Sequence, residues 1–173
     1  LVVYPTDSCY ALGCRLDDKA ALERIRQIRH LGDRHHFTLA CHDLSQLGSY
    51  ARVDNRVFRM LKSTTPGPYT FILLATKEVP KRLWHPKKST VGLRVPQNPI
   101  ALALLEELGE PMLSSTLLLP GDEFPLGDAW EVRDRLECDL VLVSDGGYCG
   151  TEPTTVIDLS EESPTLIRQG QGS

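Results

Sequence analysis

Nowhere does the sequence run to the roughly 20 consecutive apolar residues that a membrane-spanning helix needs, and it lacks the glycine period of a collagen. It also lacks the low apolar content and large net charge of a disordered chain. Of its 173 residues 41% are apolar, and 19 Lys and Arg stand against 23 Asp and Glu, a formal charge of −4. No internal repeat, low-complexity segment or Gly/Ser linker divides it. One globular domain over residues 1–173 is therefore expected. The five cysteines, Cys9, Cys14, Cys41, Cys138 and Cys149, contain no C-x-x-C pair, and no secretory leader opens the sequence, so a reducing, cytoplasmic setting is expected. The spacing of Cys9, Cys14, Cys41 and His42 matches no metal pattern, and no metal site is expected. The chain starts without Met inside a strand-like run, Leu1-Val2-Val3, so a missing N-terminal segment is expected.

The small net charge conceals an asymmetry. Residues 1–51 are balanced, residues 52–94 hold ten basic groups against Asp54 and Glu78, and residues 101–173 hold fifteen acidic groups against three basic ones. Such a split suits a protein with a cationic face for an anionic partner, unless the fold interleaves both signs on one surface. Lys81, Arg82, Lys87 and Lys88 are the candidate RNA-binding surface.

Strand-length apolar runs alternate with helical patterns. Strands are expected at Leu1–Tyr4, Phe37–Cys41, Tyr69–Ala75, Val91–Val95, Met112–Leu119, Leu140–Val143, Thr155–Leu159 and Thr165–Arg168. Asp17 or Asp18 can cap a helix carrying Leu22, Ile25 and Ile28 on one face. Asp43 with Gln46 is a capping-box pattern, Asp54 can cap a helix burying Val57, Phe58 and Leu61, and Asp128 with Glu131 is a further box. Asn98 followed by Pro99 starts a helix over Ile100–Leu108 that Gly109 can stop. Strands outnumber helices, and the last ones follow one another without helices between. The fold class is thus α/β with a twisted, mixed sheet flanked by helices.

Polar and small residues concentrate directly after the first strand, from Tyr4 to Cys14, where ligands gather in open α/β sheets. Thr6 and Ser8 can bond a small polar ligand there, or form an ordinary Ser/Thr turn. Pro66-Gly67-Pro68 is a rigid turn feeding a buried strand. Arg94 lies within an apolar strand and must find an anion, either a ligand or a structural carboxylate. Ser114, Ser115 and Thr116 place hydroxyls on both faces of one strand. Thr154, Thr155 and Arg168 repeat the theme of a hydroxyl or cation at a strand edge.

Together these positions resemble the YrdC-like domain family, most closely its YciO branch, over essentially the whole chain. The family's opening strand and loop match at Tyr4-Pro5-Thr6-Asp7 with Tyr10, Leu12 and Gly13. Its Pro-Gly-Pro-x-Thr strand matches at Pro66–Leu73, and its Arg-x-Pro at Arg94-Val95-Pro96. Its Pro-Ser-Thr-Val-x-Asp element appears as Pro153–Asp158 with Thr154 for Ser, and its closing Arg-x-Gly as Arg168–Gly170. Five motifs in the right order make the resemblance specific.

The resemblance implies a single YrdC-like domain with a positively charged concave cleft that binds nucleotide and has been linked to double-stranded RNA and tRNA. Its best-known members use ATP with Mg²⁺, L-threonine and bicarbonate to make threonylcarbamoyl-AMP and pyrophosphate for tRNA threonylcarbamoyladenosine modification. On this basis Arg29, Arg94, Ser115, Thr116, Thr154, Thr155 and Arg168 are nucleotide-binding candidates, and Thr6, Ser8 and Tyr10 substrate-binding candidates. No protein nucleophile and no tightly bound cofactor are implied. Two positions depart from the synthases: a Lys-x-Arg pair is replaced by Arg29-His30-Leu31, and Ser-x-Asn by Thr116-Leu117-Leu118. A nucleotidyltransferase of weakened activity is one implied function; a non-catalytic RNA- and nucleotide-binding module is the other.

Overall fold

Helix ends follow the capping chemistry of the sequence. In the computed structural model, which describes residues 1–30, 37–136, 142–143, 146–147 and 150–172, Asp18 caps α1 (Lys19–Arg29) by accepting from the Ala21 amide. Asp43 caps α2 (Leu44–Tyr50) through the Gln46 amide, and Asp54 caps α3 (Asn55–Thr64) through the Val57 amide. Asn98 caps α4 (Pro99–Leu108), with Pro99 in the first turn and Gly109 in the left-handed conformation at its end. Each side chain satisfies an amide that the first turn leaves without a helical partner. The Gln46 side chain reaches back to the His42 amide rather than that of Asp43, one residue beyond the usual box. A fifth helix, α5, covers Ala129–Leu136.

Among the described residues nine strands form one mixed sheet: β1 (Val2–Pro5), β2 (Tyr10–Arg15), β3 (Thr38–Ala40), β4 (Tyr69–Leu74), β5 (Thr90–Arg94), β6 (Met112–Thr116), β7 (Leu142–Val143), β8 (Thr155–Asp158) and β9 (Thr165–Arg168). Their order is β7-β1-β2-β6-β3-β5-β4-β8-β9. The pairs β1/β7, β3/β5 and β4/β8 are parallel and the others antiparallel.

Side chains alternate across a strand, and here the alternation separates two chemistries. Leu12, Leu39, Phe71, Leu73, Leu93 and Leu113 point to one face, where Leu22 and Ile25 of α1, Leu47 of α2, Val57 and Leu61 of α3 and Val132 of α5 pack on them. Their neighbours Ala11, Ala40 and Met112 lie on the opposite face, where Tyr4 and the α4 residues Ala101 and Leu105 complete a smaller cluster. One helix cannot cover nine strands. The rest of that face, carrying Thr38, Thr70, Ile72, Gly92, Arg94 and Ser114, forms the floor of an open cleft.

Three sequence expectations change. The strand β2 occupies residues read from sequence as part of a loop; Ala11 and Gly13 leave it with few branched side chains, and its pairing with β1 and β6 holds it. Phe58, expected in the core, is 46% exposed, because Val57 and Leu61 alone form the buried stripe of α3. A short 3₁₀ turn at Lys81–Leu83 was not expected. Of the strand placed at Leu140–Val143, residues 142–143 form β7; Leu31, Cys138 and Cys149 lie outside the described residues.

Candidate functional site

The loop between β1 and β2 closes on Thr6. Its hydroxyl donates to the Cys9 carbonyl at 2.7 Å and accepts from the Ser8 and Cys9 amides at 3.1 and 3.2 Å. Thr6 thus forms the Ser/Thr turn that was one reading of the sequence. It also shares a 3.1 Å hydrogen bond with the Ser8 hydroxyl, and both residues line the cleft. Asp7, the next residue in this loop, is ion-paired with Arg94.

That pair answers the question posed by a guanidinium in an apolar strand. Arg94 donates to Asp7 and, at 3.2 Å, to the carbonyl of Gly67 in the Pro-Gly-Pro turn, while Asp7 also accepts from the Gln97 amide at 2.9 Å. The side chains are 8% and 12% exposed. Arg94 still lines the cleft, and its Nε makes no hydrogen bond. The structural carboxylate is real, and the buried Nε is left without a partner among the described residues.

Two further cations stand on the cleft wall. Arg29, at the end of α1, donates from Nη1 to the Ser115 hydroxyl at 2.7 Å and from Nε to the Leu118 carbonyl at 3.2 Å. Arg168 on β9 donates from Nε and Nη2 to the Thr154 carbonyl at 3.0 and 2.9 Å, and Thr154 shares a 2.8 Å hydrogen bond with Thr70. Burial lowers the pKa of both guanidiniums from the ordinary arginine value, and the charge of Arg168 adds to this at Arg29. Both remain cations at neutral pH. Cys9 lies beside them; burial raises its pKa, against the opposing influence of Ser8 and the three arginines. The cleft measures 530 Å³, room for a small-molecule ligand. Its rim carries Glu123 and two exposed apolar side chains, Phe124 and Ile167.

Of the residues singled out from sequence, Thr6, Ser8, Arg29, Arg94, Ser115, Thr116, Thr154 and Arg168 converge on this cleft. Tyr10 and Thr155 are not among its lining residues. The Tyr10 hydroxyl, wholly buried, donates to the Gly147 carbonyl at 2.7 Å and accepts from the Gly146 amide at 3.0 Å. Thr155 donates to the Gly172 carbonyl at 2.7 Å and accepts from the Gly170 amide at 3.0 Å, so both hydroxyls fasten backbone. Lys81, Arg82, Lys87 and Lys88 also stand off the cleft, in the segment joining β4 to β5. Arg82 is spent in part on the Leu16 carbonyl. Of the ten cations in residues 52–94 only Arg94 lines the cleft, so the basic stretch and the cleft are separate features.

The sequence motifs include Asp7 and Thr70 but assign them no role, and Thr38, Glu123 and Phe124 were not singled out at all. For Thr38 and Thr70 a signal existed, a hydroxyl alternating with buried Leu39 and Phe71 on a core strand. Among the described residues no group of three or more His, Cys, Asp or Glu could hold a metal ion, and no helix is long and apolar enough to cross a membrane.

The family model of the Sua5/YciO/YrdC domain, described as "Telomere recombination", matches residues 1–170. The chain belongs to the Sua5/YciO/YrdC family. It is 59% identical over 172 residues to "Uncharacterized protein YciO" of Escherichia coli strain K12, covering 99% of this chain and 84% of that one. The crystal structure of E. coli YciO superposes with a TM-score of 0.95. The chain is also 28% identical to the threonylcarbamoyl-AMP synthase of Vibrio vulnificus strain YJ016, over 98% of this chain and 91% of that one. P. abyssi Sua5 complexed with L-threonine is 28% identical, with a TM-score of 0.89, and this chain spans 50% of its length.

Proposed function

We propose that this family member binds a nucleotide and an amino acid in the cleft and performs, slowly, the reaction of a threonylcarbamoyl-AMP synthase. One observation carries the reading: the cleft over the part of the sheet that α4 leaves open is lined by three arginines and a series of hydroxyls, in a chain similar to a Sua5 solved with L-threonine. In the reaction, the threonine amine captures bicarbonate with loss of water, and a carbamate oxygen attacks the α-phosphorus of ATP. Pyrophosphate leaves. Arg29, Arg94 and Arg168 supply positive charge where phosphate oxygens gain negative charge, and the hydroxyls of Ser8, Ser114 and Thr154 hold the reactants in register. Mg²⁺ enters with ATP as part of the substrate. The setting that goes with this reading is cytoplasmic.

Slowness follows from Leu118. Its side chain lines the cleft where the synthases carry an amide, and its carbonyl engages the Arg29 Nε. Leu31 stands where they carry a second cation. Losing a charge-stabilising donor costs on the order of 2–4 kcal/mol of transition-state stabilisation, whereas ground-state binding keeps its other contacts. Pyrophosphate release from ATP, Mg²⁺, bicarbonate and threonine tests this. The expected result is slow release that Leu31→Arg with Leu118→Asn accelerates. Wild-type turnover of about 1–1,000 per second refutes the weakened chemistry.

The second reading, a binding module without the reaction, is favoured by the separate cationic surface. Lys81, Lys87 and Lys88 are exposed and, with Arg82, form a basic segment outside the lining of the cleft. Duplex RNA held there would bind with a steep inverse dependence on salt, and Lys87→Glu with Lys88→Glu would flatten it.

A further inference from the structure

Where the α4-covered half of the sheet meets the cleft, one tyrosine crosses from the first into the second. Tyr4 is wholly buried and belongs to the apolar cluster under α4. Its ring lies across Gly13 of β2, where an added Cβ would come within 2.8 Å of both Tyr4 Cε1 and Met112 Sδ. Glycine at this position is what lets the phenol pass over β2 and reach β6. There its hydroxyl meets the Ser114 hydroxyl at 2.5 Å, and Ser114 lines the cleft. No other partner of either hydroxyl is present among the described residues.

A phenol is the better donor of the two hydroxyls and a serine the better acceptor. Shut away from water, the Tyr4 proton has only Ser114 to bond, and leaving it unbonded would cost the desolvation of a buried donor. With its oxygen so engaged, Ser114 keeps its own proton for something else. The space it borders is the cleft, on the face shared with Arg94 and Thr38. We infer that Tyr4 is a positioning residue, which holds Ser114 as an acceptor and thereby turns it into a hydrogen-bond donor to a carboxylate or phosphate in the cleft. The inference rests on the cleft being the ligand site proposed above. Desolvation agrees with it, since burial pushes the Tyr4 pKa from its ordinary 10 up to about 12 and keeps the phenol protonated.

Two measurements test it. The first needs no ligand: in the NMR spectrum of the whole chain, a slowly exchanging downfield hydroxyl proton should couple to the Tyr4 ring and vanish in Ser114→Ala. A bridging proton that couples to the Ser114 Hβ atoms, or no protected proton at this pair, overturns the inference. The second is calorimetry with AMP and with L-threonine, well below the melting temperature. Tyr4→Phe and Ser114→Ala should each weaken one of these probes about tenfold, and the double variant no more than either alone. A lower melting temperature with unchanged affinity in Tyr4→Phe, or additive losses, overturns the inference. If wild type binds neither probe, the reading of the cleft fails, and the NMR result still decides which hydroxyl donates.

Discussion

Asp7→Asn isolates the role of the buried ion pair beneath the cleft. The amide keeps the shape of the carboxylate and can still accept from the Gln97 amide, but it leaves Arg94, 6% exposed, without its counter-charge. Breaking a buried pair by removing one partner costs about 3–5 kcal/mol, mainly through the charge left behind. The pair borders an open cleft, so the lower end of that range, about 3 kcal/mol, is expected. At about 2–4 °C per kcal/mol for a chain of this size, the melting temperature should fall by roughly 6–12 °C. Urea unfolding of wild type, Asp7→Asn, Arg94→Met and the double variant closes the cycle. The double variant should recover at least about 1 kcal/mol of the summed losses, because it removes both charges. A loss below about 1 kcal/mol in Asp7→Asn, the size expected of an exposed pair, would show that water reaches Arg94 and would refute the reasoning.

Other outcomes follow from the same contacts. Arg94→Lys keeps the charge but loses the planar fork that lines the cleft, so AMP binding should weaken in calorimetry while the fold persists. Gly13→Ala should lower stability by roughly 1–3 kcal/mol in urea unfolding, since the Tyr4 ring and Met112 would both have to move. Asp54→Ala should cost about 1 kcal/mol through the lost α3 cap. In alkali, the unfolded chain releases the Tyr4 proton near pH 10 and the folded chain only near 12, so the unfolded state binds fewer protons over that window. Stability should therefore fall as pH rises from about 10 to about 12, by about 2–3 kcal/mol from this group, and Tyr4→Phe should flatten the decline.

Much of the scaffold is legible because capping is local. Asp18, Asp43, Asp54 and Asn98 each act on amides within the next three residues, so the sequence contains both partners. What escapes is set by distant neighbours. The β2 segment reads as a loop because Gly13 has no side chain; the reason is the Tyr4 ring, which comes from another strand. The ion pair of Arg94 is separated by 87 positions from Asp7, and nothing local links them. The charge pattern misleads for a related reason. A sum over residues 52–94 cannot show that β4 and β5 put one end in the cleft and the connecting lysines beyond the other. Motif order located the cleft hydroxyls well, yet it could not distinguish Thr154, which lines the cleft, from Thr155, which is bonded to Gly172 and Gly170.

Calorimetric titration of wild type and Arg168→Ala with ATP and with L-threonine, separately and together, tests the central claim most directly. Saturable binding of both ligands to wild type, with ATP binding weakened in Arg168→Ala, is the predicted result. Absence of heat for either ligand at millimolar concentration, or nucleotide binding untouched by the loss of Arg168, would contradict the assignment of the cleft.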